Sequence, residues 1–183
     1  MSRLYVREIR FGLETPPFGA EFNKHITEKK NPAARAASVS AWNLLYEVIG
    51  EHKGEIRFDG NGKPYFLNGP HFSISHSASL AAVLISDQPC GVDIERIDDR
   101  IALRLAKRCL SPNEAGRNFF ECWTRKECLV KLDGHSLFAH PERIDTTLRD
   151  GLFFTTRVCD AAGQAYVLSA ICTDAAGLSV QHK

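Results

Sequence analysis

Several things are missing from this 183-residue chain, and each absence closes off a class of function. No apolar run approaches the ~20 residues that a membrane-spanning helix needs. The start, MSRLYVREIRFGLE, alternates apolar and charged residues where a secretory leader would carry an apolar core. The expectation is a cytoplasmic protein with no membrane partner. Neither sign of charge is in surplus: 23 Lys and Arg stand against 22 Asp and Glu, a formal net charge of +1. Proteins that coat nucleic acid carry a basic excess, so no nucleic-acid partner is expected, although a local basic patch is permitted. The six cysteines, at 90, 109, 122, 128, 159 and 172, contain no C-x-x-C. Cys90, Cys109, Cys159 and Cys172 lie within apolar runs, where a reduced thiol acts as a small hydrophobe, so neither a zinc cluster nor a disulfide framework is expected. There is no G-x-S-x-G elbow. GNGKP lacks Walker spacing, and its proline forbids the helix a phosphate loop requires. No repeat, long linker or low-complexity segment interrupts the sequence.

What is present is ample material for a core, since 44% of the residues are hydrophobic. The length suits one domain or two closely packed small halves. Asn31-Pro32 reads as an N-cap followed by a first-turn proline, and Gly50 closes the helix they open. Its buried side is expected to carry Ala34, Val39, Trp42, Leu45 and Ile49. IRF and YFL flank the turn cluster DGNGKP, HFSISHS alternates as a strand, and LAAVLIS reads as a buried strand. IALRLAKRCL is an amphipathic helix with Arg104, Lys107 and Arg108 on its polar side. Ser111-Pro112-Asn113-Glu114 matches a capping box, predicting a helix from there to about Leu132. Strands are expected near LFFTTRV and AYVLSAIC. The sum is a mixed α/β (α+β) domain with mostly antiparallel hairpins.

Within it, CGVDIERID poses a problem. Alternation sends Val92 and Ile94 to one face of a strand and Asp93 and Glu95 together to the other. Adjacent carboxylates repel, and strands are poor in both residue types. In WTRKECLVK, residues 123–131, Trp123, Glu127 and Lys131 are successive i, i+4 neighbours with Lys126 beside them. If that helix packs near the strand, Asp93, Glu95 and Glu127 would hold a hard divalent cation, for which magnesium with retained waters is suited. Taken singly, each segment also fits an ordinary role. DIE can end a strand at the surface, Glu127 and Lys131 can be a solvated pair, and His76, between Ser75 and Ser77, can be a structural histidine.

The order of the pieces is more specific. GKP, then FSISHS, then GVDIE, then WTRKECLVK, across residues 62–131, resembles the phosphopantetheinyl transferase superfamily in its surfactin-synthetase-activating branch. That family shows a GKP turn, F-N-x-S-H-S, G-[IV]-D-[IV]-E and W-x-x-K-E-x-x-x-K. The resemblance implies the phosphopantetheinyl transferase fold. This is a pseudo-dimer of two similar halves with antiparallel sheets and packed helices, binding coenzyme A in the cleft between them. Here it would be a single domain over 1–183 with halves of about 1–88 and 89–183, acting as a monomer. Carried over, Asp93, Glu95 and Glu127 match the magnesium ligands, and His76 with Ser75 matches the contact to the ribose 3'-phosphate. Lys63 and Pro64 match the turn beside the adenine. Lys126 and Lys131 match the helix lysines, Lys131 reaching the pyrophosphate, and Arg35 matches an early basic residue that meets the nucleotide. Glu127 and Lys131 are the catalytic candidates, with Glu127 accepting the serine proton or serving as a metal ligand. Three departures stand out: a shorter chain, Ser73 in place of the asparagine, and LDGHSL where a glycine-rich segment is usual.

The implied reaction moves phosphopantetheine from coenzyme A to a serine of an apo acyl or peptidyl carrier protein, releasing adenosine 3',5'-bisphosphate. Such carriers serve fatty-acid, polyketide or nonribosomal peptide biosynthesis. The basic helix bearing Arg100, Arg104, Lys107 and Arg108 is the candidate carrier-facing surface. Two other readings stand beside this one: an inactive relative that binds coenzyme A or a carrier, and a magnesium-dependent nuclease. The spacing Glu127-x-x-x-Lys131 does not match the nuclease pattern, and the charge balance disfavours it.

Overall fold

The computed structural model describes residues 1–51, 54–133 and 140–183. The chain opens with β1 (Arg3–Glu8), α1 (Ala20–Thr27) and α2 (Pro32–Val48). A small hairpin, β2 (Ile56–Phe58) with β3 (Pro64–Phe66), precedes β4 (His71–Ser77) and β5 (Leu80–Ser86). Then come β6 (Gly91–Arg96), α3 (Asp99–Cys109), α4 (Phe119–Asp133), β7 (Phe153–Cys159), β8 (Ala165–Ile171) and β9 (Val180–His182). The antiparallel hairpins expected from alternation are present. α2 begins as its sequence dictates, with Asn31 Oδ1 accepting from the N–H groups of Ala33 and Ala34 and Pro32 in the first turn. Val39, Trp42, Leu45 and Ile49 are buried, whereas Ala34 is exposed.

Two sheets stack face to face. One has the order β4-β5-β1-β9 and the other β6-β8-β7. In each, a strand and two helices precede the β4–β5 or β7–β8 hairpin, and the first strand pairs antiparallel with the hairpin's second strand. β9 crosses back and pairs parallel with β1, so the two expected halves share a strand. Alternation partitions the core. Leu4, Val6, Ala82 and Leu84 meet Val92, Ile94, Leu168 and Ala170 between the sheets. Tyr5, Val83 and Ile85 pack outward on α1 and α2. Val167 packs on the α3–α4 side.

The sheets meet where β6 runs along β4. As an edge strand, β6 has N–H groups with no main-chain partner on its outer side, and burying them unpaired would be costly. The N–H groups of Val92, Ile94 and Arg96 donate instead to the hydroxyls of Ser73, Ser75 and Ser77, at 3.0, 3.4 and 3.2 Å. Three serines at alternate positions of β4 thus replace a missing strand.

Sequence reading extended one helix from Ser111 to Leu132; the structure breaks it in two. Residues 112–114 form a single 3-10 turn, Ala115 leaves the helical region at ψ 127°, and Gly116 adopts φ +82°. α4 restarts at Phe119, with Asn118 Oδ1 accepting from Glu121 N. The cause is Glu114, whose carboxylate takes the N–H of Ser111 and, fully buried, also binds Thr146 and Lys126. Those contacts anchor the turn away from the axis of α4. A second difference is α1, for which the sequence had given no helix expectation.

α4 lies hard against β6 at Gly91, where a Cβ would stand 2.1 Å from the Cys128 carbonyl oxygen. Because the obstruction is backbone, Gly91→Ala must lift α4 from the sheet. It is expected to cost about 1–3 kcal/mol, read as a lower urea midpoint with an unchanged m-value.

Candidate active site

The close approach at Gly91 brings α4 over the outer face of β6. Asp93 and Glu95 lie on that face, opposite Val92 and Ile94, as alternation predicted. Asp93 is 4% exposed. Its Oδ1 accepts from Ser75 Oγ at 2.7 Å and from Lys131 Nζ at 2.7 Å, and the same ammonium reaches Val92 O at 3.0 Å. Among the described residues, Asp93 Oδ2 is buried without a partner. Glu95 accepts from Ser77 Oγ at 2.8 Å. Ser75 and Ser77 therefore each take a β6 N–H and give their own proton to a β6 carboxylate.

Glu127 joins this pair from α4. Burial, and then the charges of Asp93 and Glu95, push its carboxyl up to about 7 against the opposing pull of Lys131. Glu95 is raised as well, by burial first and by Asp93 second. Burial alone would depress Lys131, but the charge of Asp93 and the hydrogen bond to it raise the ammonium above its ordinary range. The three acids thus feel one another's charge. Among the described residues, no three acidic, histidine or cysteine side chains already stand together as a metal-holding group. The donor set nevertheless suits a hard divalent cation: the ligand atoms are carboxylate oxygens, one is buried and unpartnered, and mutual repulsion would be relieved by positive charge.

Beside the acids opens a cleft of about 450 Å³. Its apolar walls include Trp42, Phe58, Pro64, Phe72, Ile74 and Val130, and His25, Lys29, Lys63, His76 and Lys131 supply its polar groups. His25 lies stacked on Phe58 with ring centroids 4.5 Å apart. The β2–β3 turn is fixed by Asp59 Oδ1, which accepts from Asn61 N and Lys63 N. Lys63 Nζ reaches across to Leu132 O at 2.7 Å, tying the turn to α4, and burial lowers its proton affinity. His76 is lowered too, by burial first and then by Lys29 and Lys131. A flat apolar wall rimmed by cationic groups accommodates an aromatic ring carrying several negative charges.

Of the residues expected from sequence, Lys131 is ion-paired with Asp93, Glu127 lies within electrostatic reach of Asp93 and Glu95, and Lys63, Pro64, His76 and Lys131 line the cleft. Ser75 points to the opposite face of β4 from His76 and is committed to Asp93. Lys126 does not reach the cluster: its side chain is 2% exposed and its ammonium lies 2.6 Å from Glu114, also donating to Pro141 O and Ile144 O. Arg35 is exposed and borders a separate hollow with Gly12, Leu13 and Pro32. The segment Gly134–Leu137 of LDGHSL lies outside the described residues. His25, Lys29 and Phe58 were missed. No local signal marked them: His25 is in α1, which the sequence had not predicted, and Lys29 follows its C-cap.

Residues 89–175 match the 4'-phosphopantetheinyl transferase superfamily. The chain is 34% identical over 107 residues to the 4'-phosphopantetheinyl transferase gsp of Aneurinibacillus migulanus, covering 51% of this chain and 45% of that protein. It is 34% identical over 110 residues to psf-1 of Bacillus pumilus, another 4'-phosphopantetheinyl transferase, covering 52% and 47% respectively. The 4'-phosphopantetheinyl transferase AcpT of Salmonella typhimurium is 33% identical over 133 residues, 64% of this chain and 69% of AcpT. The chain thus spans about half the length of the first two relatives. Among the described residues, no helix is long and apolar enough to cross a membrane.

The raised carboxyl of Glu127 has a consequence for stability. Between its ordinary value of 4.5 and about 7, the folded protein retains a proton that the unfolded chain releases. The contribution of Glu127 to stability in the absence of divalent ions therefore falls as pH rises through that window. In urea unfolding from pH 4.5 to 8, wild type should lose stability relative to Glu127→Gln as pH rises. Equal pH profiles for the two proteins would contradict the assignment.

Proposed function

Because the chain belongs to the 4'-phosphopantetheinyl transferase superfamily, we propose that it transfers phosphopantetheine from coenzyme A to a serine of an apo acyl or peptidyl carrier protein. The observation that carries this reading is the junction at Lys131, which lines the cationic cleft and also touches Asp93. A nucleotide-binding cleft that opens onto three acids is what a diphosphate donor and a hard cation require together.

In this proposal the aromatic and apolar walls hold the adenine, with Lys63 and Pro64 beside it. His76, with Lys29 next to it in the cleft, meets the ribose 3'-phosphate. Asp93, Glu95 and Glu127 would hold magnesium, which when bound would neutralise the diphosphate. Lys131 stabilises charge on the departing oxygen. The carrier serine attacks the pantetheine-linked phosphorus, its bond to the bridging oxygen breaks, and adenosine 3',5'-bisphosphate leaves. Glu127, on the face of α4 turned to the acids, is the candidate to accept the serine proton. Ser75 and Ser77 orient the acids. The shared topology of the two sheets supports a pseudo-dimer of similar halves, which would act as a monomer.

Mass spectrometry of apo carrier proteins incubated with coenzyme A, magnesium and this protein tests the reading directly. A phosphopantetheine mass increase is expected. Both a chelator and Asp93→Ala should lower the rate by at least about a hundredfold, as loss of transition-state charge stabilisation does. Full transfer in the presence of chelator would refute the magnesium role, and no transfer to any carrier class would refute the activity.

α3 supplies the carrier-facing surface in this proposal. Arg104, Lys107 and Arg108 are exposed around Leu103, which is 83% exposed, while Arg100 is paired with Asp98. Rim charges mainly speed encounter and are screened by salt. Arg104→Glu with Lys107→Glu should therefore raise KM for an acidic carrier several-fold at low salt and leave KM for coenzyme A unchanged. Unchanged carrier kinetics would make α3 an ordinary solvated face.

A further inference from the structure

Lys131 belongs to two environments at once. Its side chain lines the cleft, yet its ammonium is turned into the acid cluster, 2.7 Å from Asp93 Oδ1 and 3.0 Å from Val92 O. Among the described residues it is the one cation ion-paired with Asp93, Glu95 or Glu127. Asp93 needs such a partner. It is almost fully buried, and among the described residues its side chain has, beyond Lys131, only the Ser75 hydroxyl, with Oδ2 left unpartnered. Leaving a buried carboxylate without a counter-charge is strongly unfavourable.

We infer that Lys131 is an internal counter-ion, so that its ammonium and a divalent cation compete for Asp93 and the cation's arrival releases the lysine to the cleft. The inference rests on reading Asp93, Glu95 and Glu127 as a divalent-ion site. In the metal-free protein, one ammonium neutralises one of three acids. A divalent cation on the unpartnered oxygen of Asp93 brings a larger positive charge within a few ångströms of the ammonium. Like charges at that distance in a partly buried site repel strongly. The cleft that Lys131 already lines, with Lys63 and His76 around it, offers solvent and any bound anion. The lysine is thus presented to a polyanionic occupant when the acids are loaded, and it is withheld when they are empty. Cation and anion binding become positively coupled through a single side chain.

Competition has a measurable sign. Removing the internal competitor must tighten binding of the external one. Mn2+ binding, measured by electron paramagnetic resonance without nucleotide, should be at least about tenfold tighter in Lys131→Met than in wild type. The variant should also have a lower Tm than wild type without metal, and saturating Mn2+ should close that gap. A wild-type measurement needs no folded variant: acetic anhydride labelling of Lys131, normalised to exposed Lys24, should accelerate when Mn2+ saturates the protein. Equal or weaker Mn2+ binding by Lys131→Met, or labelling of Lys131 that Mn2+ leaves unchanged or slows, overturns the counter-ion inference alone. Absence of Mn2+ binding to both proteins overturns the divalent-ion reading and this inference with it. Tighter binding in the variant without any carrier modification by wild type would support the competition while refuting the transferase reading.

Discussion

An edge strand buried against another sheet must find partners for its outward N–H groups, and this protein finds them in serine hydroxyls. Ser73, Ser75 and Ser77 take the N–H groups of Val92, Ile94 and Arg96. That arrangement fixes β6 against β4 in one register, because a slip by one residue would replace each serine with Phe72, Ile74 or His76. The register then sets where Asp93 and Glu95 project, and the same hydroxyls hold their oxygens. A seam between sheets and a pair of oriented acids are consequences of one hydrogen-bonding constraint.

The other side of the site depends on contact rather than hydrogen bonding. α4 can deliver Glu127 and Lys131 to β6 only because Gly91 has no side chain to meet the Cys128 carbonyl. Along the same helix, Lys126 faces a different environment and is consumed by Glu114 and two main-chain carbonyls. Neighbouring lysines on one helix thus have unlike duties: Lys126 holds the segments on either side of the helix, and Lys131 stands between acids and cleft. Burying Lys126 costs its hydration, and the carboxylate with its several hydrogen bonds offsets that cost.

Much of this could be read from residues alone. Period-two patterning correctly divided Val92 and Ile94 from Asp93 and Glu95, and i, i+4 spacing correctly set Glu127 and Lys131 on one stripe. Asn31-Pro32 marked the start of α2. The capping box at Ser111 was a true local signal with a misleading extension. Nothing local says that Glu114 will be pulled to Thr146 and Lys126, and the local marks of the break are Gly116 and the cap at Asn118. The short segment AEFNKHIT of α1 is held mainly by Phe22 and Ile26 in a core assembled from distant elements, so its cleft residue His25, and Lys29 just beyond the helix, were invisible to local reading. Lys126 lies off the stripe of Glu127 and Lys131 because a one-residue difference along a helix rotates a side chain by about 100°, and only packing shows which direction leads to the cleft.

The strand pairing at the two ends of the chain sets an order of events. β1 takes its parallel neighbour from residues 180–182, more than the whole of the intervening fold away along the backbone. During synthesis the first sheet must therefore wait, one edge incomplete, until the last of these segments has left the ribosome. Closing a contact of that sequence separation is slow compared with forming the local hairpins. The nascent protein is expected to pass through a stage in which its second half is already assembled while β1 still offers an open edge, the interval in which a chaperone would have most to protect.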